Sequence, residues 1–437
     1  MIGRATVLGA AVLAVAAVLG ADRIGVETAP GPAALTAEVT PAEQPVACPG
    51  PVEIPVGDID TGDPELDSSS TDRSYDAVAE DPVAADAGFL AWADAAASIE
   101  RVGGGDVAGL SAASCATPAR EQWLVGGSTA LGSSARLVLT NPTEATTEVT
   151  VTYYGPIGEV DERTVVTVAP GAQRDVLVEG VATEISALAL RIEATGAGVV
   201  AHLQDSRLEG FQPGGTDWVQ AGADPAERLV VPGVGADGDA ETTLRLLAPD
   251  GATVELTLDR DQGIVDWGGV SALELEPGVV TEVSVPAVES GAVEVIADAP
   301  VVAAAMTRVS RAVVDGPTGA LAYDLAWTAA QDATVGAPRS VVVTEHVTGV
   351  TVQASSTGTF TLTDASGDTV VTRTLGARSS VTLPLDLEAG EVLTASGRFA
   401  WSLIATDEPG FLSRLTPRRI GLEPLTVVVA QGGYVGR

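Results

Sequence analysis

Arg136-Leu-Val-Leu-Thr-Asn-Pro-Thr-Glu-Ala-Thr-Thr-Glu-Val-Thr-Val151 reads as a strand, a turn and a second strand. β-Branched and apolar residues alternate with polar ones, which suits a half-buried pleated surface, and Asn141-Pro142 supplies the turn. Two later stretches repeat the theme, spaced roughly a hundred residues apart. They are Thr243-Leu-Arg-Leu-Leu-Ala-Pro-Asp-Gly-Ala-Thr-Val-Glu-Leu-Thr-Leu258 and Thr359-Phe-Thr-Leu-Thr-Asp-Ala-Ser-Gly-Asp-Thr-Val-Val371. Other landmarks recur with them. Trp123-Leu-Val125, Leu229-Val-Val231 and Val341-Val-Val343 open the copies. Pro170-Gly171 and Pro277-Gly278 lead into alternating strands. The closing strands are Leu188-Ala-Leu-Arg-Ile192 with Val199-Val-Ala201, Val293-Glu-Val-Ile296 with Val301-Val-Ala303, and Val392-Leu393 with Phe399-Ala-Trp-Ser-Leu-Ile404. Asp217-Trp218 and Asp324-Leu-Ala-Trp327 read as linkers, their tryptophans wedging one copy against the next.

Short strands, frequent turn signals and no helical periodicity point to an all-β chain of tandem immunoglobulin-like β-sandwiches. The expected units are residues 121–225, 226–337 and 338–437. The last includes Leu425-Thr-Val-Val-Val-Ala430, a strand returning either to the third sheet or to the N-terminal region. Each copy is large enough to own a core, so beads on a string are expected.

The leading residues differ in kind. Arg4 precedes an uncharged apolar run, Ala5 to Ala21, which reads as a signal anchor or a cleaved signal peptide within residues 1–23. As a helix the run spans about 25 Å, at the short end for a bilayer core of about 30 Å. The retained anchor is favoured, because no strong cleavage site follows. The protein is then single-pass in the cell membrane with an extracellular C-terminal part; cleavage would make it secreted. Residues 24–51 form a Pro- and Ala-rich linker, and residues 52–120 an acidic region. Within that region, Ala84 to Ile99 is open to a short helix, weakened by Gly88, or to a pair of strands.

Acidic residues number 59 against 23 basic ones, all arginine, for a net charge of −36. Such a field argues against nucleic acid and anionic lipid as partners. Membrane contact is therefore expected through the N-terminal segment only. Cys48 and Cys115 lack metal-site spacing, and in an exported chain such a pair forms one structural disulfide.

Together the apolar N-terminus, Ala47-Cys-Pro-Gly-Pro51, Leu139-Thr-Asn-Pro142, Leu229-Val-Val-Pro-Gly233, Val301-Val-Ala303 and Asp324 to Trp327 carry a resemblance. The chain resembles the exported actinobacterial proteins grouped as domain-of-unknown-function family 5719. That resemblance implies no activity and no site residue. It points towards surface polysaccharide biology.

Chemistry is sparse. His202 lies near Asp205 and Ser206, but residues 202 and 206 of one extended strand stand about 13 Å apart, too far for a triad. His346 follows Glu345 at a strand end and reads as structural. Asp58-Ile-Asp-Thr-Gly-Asp63 resembles a calcium loop, but its twelfth position is Ser69 and its glycine comes one place early. No catalytic, cofactor or metal site is expected. Trp267, in Val265-Asp-Trp-Gly-Gly269, is the best candidate for stacking a sugar. The expected function is a non-enzymatic scaffold or interaction module of the cell envelope, binding an envelope protein or polysaccharide. A carbohydrate-binding accessory to polysaccharide assembly is the alternative, and an extracellular hydrolase a remote one.

Overall fold

The computed structural model describes residues 34–39, 45–53, 71–76, 83–84, 90–93, 96–419 (apart from 211, 237, 269, 271, 313–320 and 409) and 425–430. The apolar run at residues 5–21 and the acidic loop at 58–69 lie outside them. Among the described residues the chain is all-β, interrupted by two short 3-10 turns, Gly105–Val107 and Val178–Gly180.

The first repeat has two sheets. One orders Glu121–Val125, Ala189–Ala194 and Thr147–Gly155, with Gly158–Glu159 and Thr164–Val168 also pairing to Thr147–Gly155. The other orders Ala172–Leu177, Ser133–Asn141, Val200–Glu209 and Gln212–Gln220. Leu137, Leu139 and Leu203 from one sheet meet Val149, Val151 and Ile192 from the other in a single core. Each such aliphatic side chain contributes about 1.5–3 kcal/mol by leaving water. Asn141, fully buried, fixes the turn between Ser133–Asn141 and Thr147–Gly155. Its Nδ2 donates to Ala145 O at 2.8 Å and Val168 O at 3.1 Å, and its Oδ1 accepts from the Thr143 N–H at 3.1 Å.

The second repeat departs from the expected pair of closing strands at 293–296 and 301–303. One strand, Gly291–Ala312, serves both sheets. Its first part pairs with Ala226–Val234 and Ala252–Arg260; its second part pairs with Glu241–Leu247 and Leu321–Ala329. In the first repeat the same passage breaks at Gly196 and Gly198, both left-handed at φ 65 and 94. Ala297-Asp-Ala-Pro300 contains no glycine, and the strand runs on.

The third repeat corrects the sequence alignment. Val347–Ala354 pairs with Ser379–Pro384 and Phe399–Asp407, the place Ser133–Asn141 takes in the first repeat. Gly358–Thr363 pairs with Thr369–Leu375 and Val392–Ala395, the place of Thr147–Gly155. The echo at residues 359–371 is therefore the next hairpin along. Alternation of period two marks a strand but not which strand, and pairing partners alone decide that. The turn before Ser379–Pro384 also lacks its Pro-Gly. Arg378, at φ 56, takes the left-handed position that Gly171 (φ 61) and Gly278 (φ 69) hold.

The repeats are not beads on a string. Residues 43–421 form one compact body. The first repeat's core takes in Leu247, Val280, Leu325 and Trp327 from the second, and the third repeat's core takes in Leu110 and Ala112 from the head. Segments expected as linkers, Gln212–Gln220 and Leu321–Ala329, are full strands of these sheets. In the head, Leu90–Ala93 and Ala97–Gly103 take the strand alternative rather than the helix. Leu425–Ala430 pairs antiparallel with Ala34–Val39, in a unit of its own with the N-terminal residues.

Candidate functional site

Gly109–Ser114 is buried at every position. Apart from Leu110 its side chains are small, and one strand from each repeat closes in: Gln212–Gln220, Leu321–Ala329 and Phe411–Leu415. Two carboxyl groups knit the junction. Asp217 Oδ1 accepts from Ser413 Oγ at 2.9 Å and from the Ala112 N–H at 3.4 Å, while its Oδ2 accepts from the Trp327 N–H at 2.8 Å. Asp324 Oδ2 accepts from the N–H of Leu412 at 2.9 Å and of Leu110 at 3.3 Å. Both side chains are shut off from solvent. Burial pushes Asp324 up to about 7 and Asp217 well above the usual carboxylate range, against the pull of their donors. A Cβ on Gly109 would lie 2.8 Å from Asp324 Oδ1, so only glycine leaves the carboxylate its space. This arrangement fastens strands. It offers no open face to a substrate.

Beside the junction, the connectors that follow these three strands meet around a cleft. Residues 221–226, Ala330 to Asp332 and 416–419 line about 430 Å³ of it, with Val335 and Arg339. A neighbouring cleft of about 190 Å³ shares Ala221, Gly222, Asp224, Arg418 and Arg419. Arg339 is buried; its Nη1 donates to Gln331 Oε1 and Phe399 O, each at 3.1 Å, and its Nη2 to Asp332 O. Arg418 Nη1 donates to Ala221 O at 2.7 Å, and its Nε has no partner. Arg419 is exposed. Of the carboxylates on the walls, Glu121 accepts from Arg191 Nε at 2.9 Å and Asp332 accepts from the Thr334 N–H at 2.8 Å. Asp224 is exposed.

The residues singled out by sequence fall in separate places. Cys48 and Cys115 form a disulfide with Cα atoms 4.3 Å apart, and Cys115 lines the smaller cleft. Trp267 is half-buried against the second repeat's core rather than standing free. His202 is buried, edge-on to Trp218 with ring centroids 6.2 Å apart. Neither ring nitrogen has a hydrogen-bond partner. Burial, and next the charge of Arg418, push its pKa down to about 3. Asp205 and Ser206 are engaged elsewhere: Asp205 Oδ2 accepts from Trp327 Nε1 at 3.0 Å, and Ser206 Oγ accepts from Gln204 Nε2 at 2.8 Å. His346 Nδ1 stands 2.7 Å from Glu100 Oε1, tying the third repeat to the head. The paired aspartates were missed by sequence reasoning. Their signal was a carboxylate inside each otherwise apolar Trp-bearing segment, Asp217-Trp-Val219 and Asp324-Leu-Ala-Trp327.

Comparison with known families matches residues 69–388 to one described as a family of unknown function, DUF5719. A search of curated proteins finds no match. Among solved structures, a "Biofilm associated protein - BSP domain" shares 11% identity, with 84% of this chain and 67% of that chain covered at a TM-score of 0.15. At that score the likeness carries no argument about fold or function.

Proposed function

Because this chain belongs to the DUF5719 family of unknown function, membership brings no activity with it, and we propose from its geometry that it is a rigid, non-enzymatic scaffold of the cell envelope, built of tandem immunoglobulin-like sandwiches. The observation that carries this reading is the junction at Gly109–Ser114, where one strand of every repeat is bonded to the head through Asp217 and Asp324. Such a junction holds three sandwich faces at fixed mutual angles, which suits a part that positions partners. A disulfide is at home in an oxidising compartment, and Cys48–Cys115 supports an extracellular place for the body. The apolar run at residues 5–21 would then tether it to the membrane.

Cross-linking the protein in its native membrane, followed by purification, tests the proposal. A scaffold returns the same envelope partners in every repeat experiment. Recovery of abundant bystanders alone, or turnover of a wall polymer by the purified protein, would sink it. The carbohydrate-binding alternative has its own test, glycan binding that disappears in Trp267→Ala.

A further inference from the structure

We propose that the cleft between the three connectors binds an oxyanion, a phosphate or carboxylate group, borne on a small hydroxylated carrier of sugar size. In a chain with 59 acidic residues and 23 basic ones, three arginines gathered on one cleft stand apart from the composition. The hydrogen bonds of Arg339 and Arg418 go to backbone carbonyls and side-chain amides, so neither guanidinium is hydrogen-bonded to a carboxylate among the described residues, although the charge of Asp332 acts on Arg339. Those bonds also hold the guanidinium groups in place before any ligand arrives, which lowers the ordering cost of binding. Glu121 and Asp332 are engaged with Arg191 and Thr334, leaving Asp224 as the wall carboxylate without such a bond. Burial, then the charge of Arg419, lower the pKa of Arg339 against the opposing charge of Asp332, as expected of cations sharing a space that an anion would relieve. A planar guanidinium with spare donors matches a carboxylate or phosphate. The volume of about 430 Å³ exceeds a bare ion and fits a sugar-sized molecule. Thr416 on the wall, whose Oγ1 has no partner among the described residues, offers a partner to a ligand hydroxyl. The overall charge of −36 opposes an incoming anion, so the attraction is local; beyond about 8 Å physiological salt screens the rest.

Titration calorimetry of the full chain with glucose 6-phosphate, glucuronate and neutral glucose tests the site. Both anions are expected to bind and glucose not. Binding of one anion alone also supports the site and identifies the preferred group. Arg419→Glu, at an exposed position, is expected to weaken binding at least tenfold with an unchanged melting temperature. Arg373→Glu, on the outer hairpin away from the cleft, is expected to leave it unchanged. No binding of either anion at millimolar concentration, or equal losses in the two variants, overturns the proposal. Either failure leaves the scaffold reading to its own cross-linking test.

Discussion

Asp217 and Asp324, on the last strands of consecutive repeats, bond to the same head strand two residues apart, at the N–H groups of Ala112 and Leu110. Each also reaches the third repeat, Asp217 through Ser413 Oγ and Asp324 through the Leu412 N–H. Two carboxyls thus join four pieces of chain. Buried carboxyls usually leave such a role to neutral groups, because the charged form is costly away from water.

That cost gives a pH signature for Asp324. Its folded pKa is raised to about 7, above the unfolded value near 4, so the folded state binds the extra proton between those limits. Stability is greatest below the unfolded pKa and is lost as pH rises through about 7, by on the order of 4 kcal/mol. Asp324→Asn removes this loss. Urea midpoints at pH 4.5 and pH 8 should show the variant gaining on the wild type at the higher pH. Profiles that shift in parallel would contradict a buried charge at this position. Asp217, raised the same way, leaves the variant some of the slope.

His202 works in the opposite direction. Its folded pKa is lowered to about 3, so the unfolded chain takes up the proton first as pH falls below about 6.5. Stability is intact above that pH and is lost on the way down to about 3, by on the order of 5 kcal/mol. Between about pH 4 and 6.5 His202 offsets Asp324, and the raised Asp217 leaves the wild-type profile a residual loss of stability as pH rises. His202→Leu should tilt it towards greater stability at acid pH, and Asp324→Asn towards greater stability at neutral pH. Thermal melts across that range decide it: tilts of the same sign in the two variants rule out the opposition.

Much of this was legible in the sequence, and the limits have physical causes. Val149, Val151 and Ile192 lie in the core because alternation and β-branching mark inward faces whatever the neighbours are. The turn at Asn141 was readable from residue type, and the pairing of Cys48 with Cys115 from two cysteines without metal-site spacing in a chain expected to be exported. The echo at residues 359–371 misled because Thr-rich alternation around a glycine turn describes more than one hairpin of the same unit. The wedge expected of Trp327 is present, but the expected beads are not: Trp327 sits on a strand of the second repeat and fills the core of the first, and a pattern within one strand cannot show how much of a distant partner's core it shares. The arginine cleft was out of reach entirely, since Arg339 and Arg418 meet only through the third dimension.

The disulfide closes a loop of 67 residues. On the chain-entropy account this stabilises the fold by about 4 kcal/mol, mostly through the unfolded state. Cys48→Ser combined with Cys115→Ser should lower the urea midpoint by a matching amount, and reductant should do the same to the wild type but leave the variant unmoved. A reductant effect on the double variant would show that the loss has another source.

Trp327 offers the test of whether residues 43–421 behave as one body. Its indole Nε1 donates to Asp205 Oδ2 at 3.0 Å, and the guanidinium of Arg245 lies over its ring at 4.9 Å. Trp327→Ala empties part of the first repeat's core, strips Asp205 of a donor and uncovers Arg245, costing about 3–5 kcal/mol for the lost packing alone. Half-buried Trp267 packs against the second repeat's core, and Trp267→Ala should cost less, about 1–2 kcal/mol. The cavity left by Trp327 lies in the first repeat while its backbone belongs to the second. Amide hydrogen exchange should therefore report lost protection at Leu137 and at Leu229 together, with both falling by similar factors. If Leu229 alone loses protection, the repeats open independently and the shared core is not what couples them.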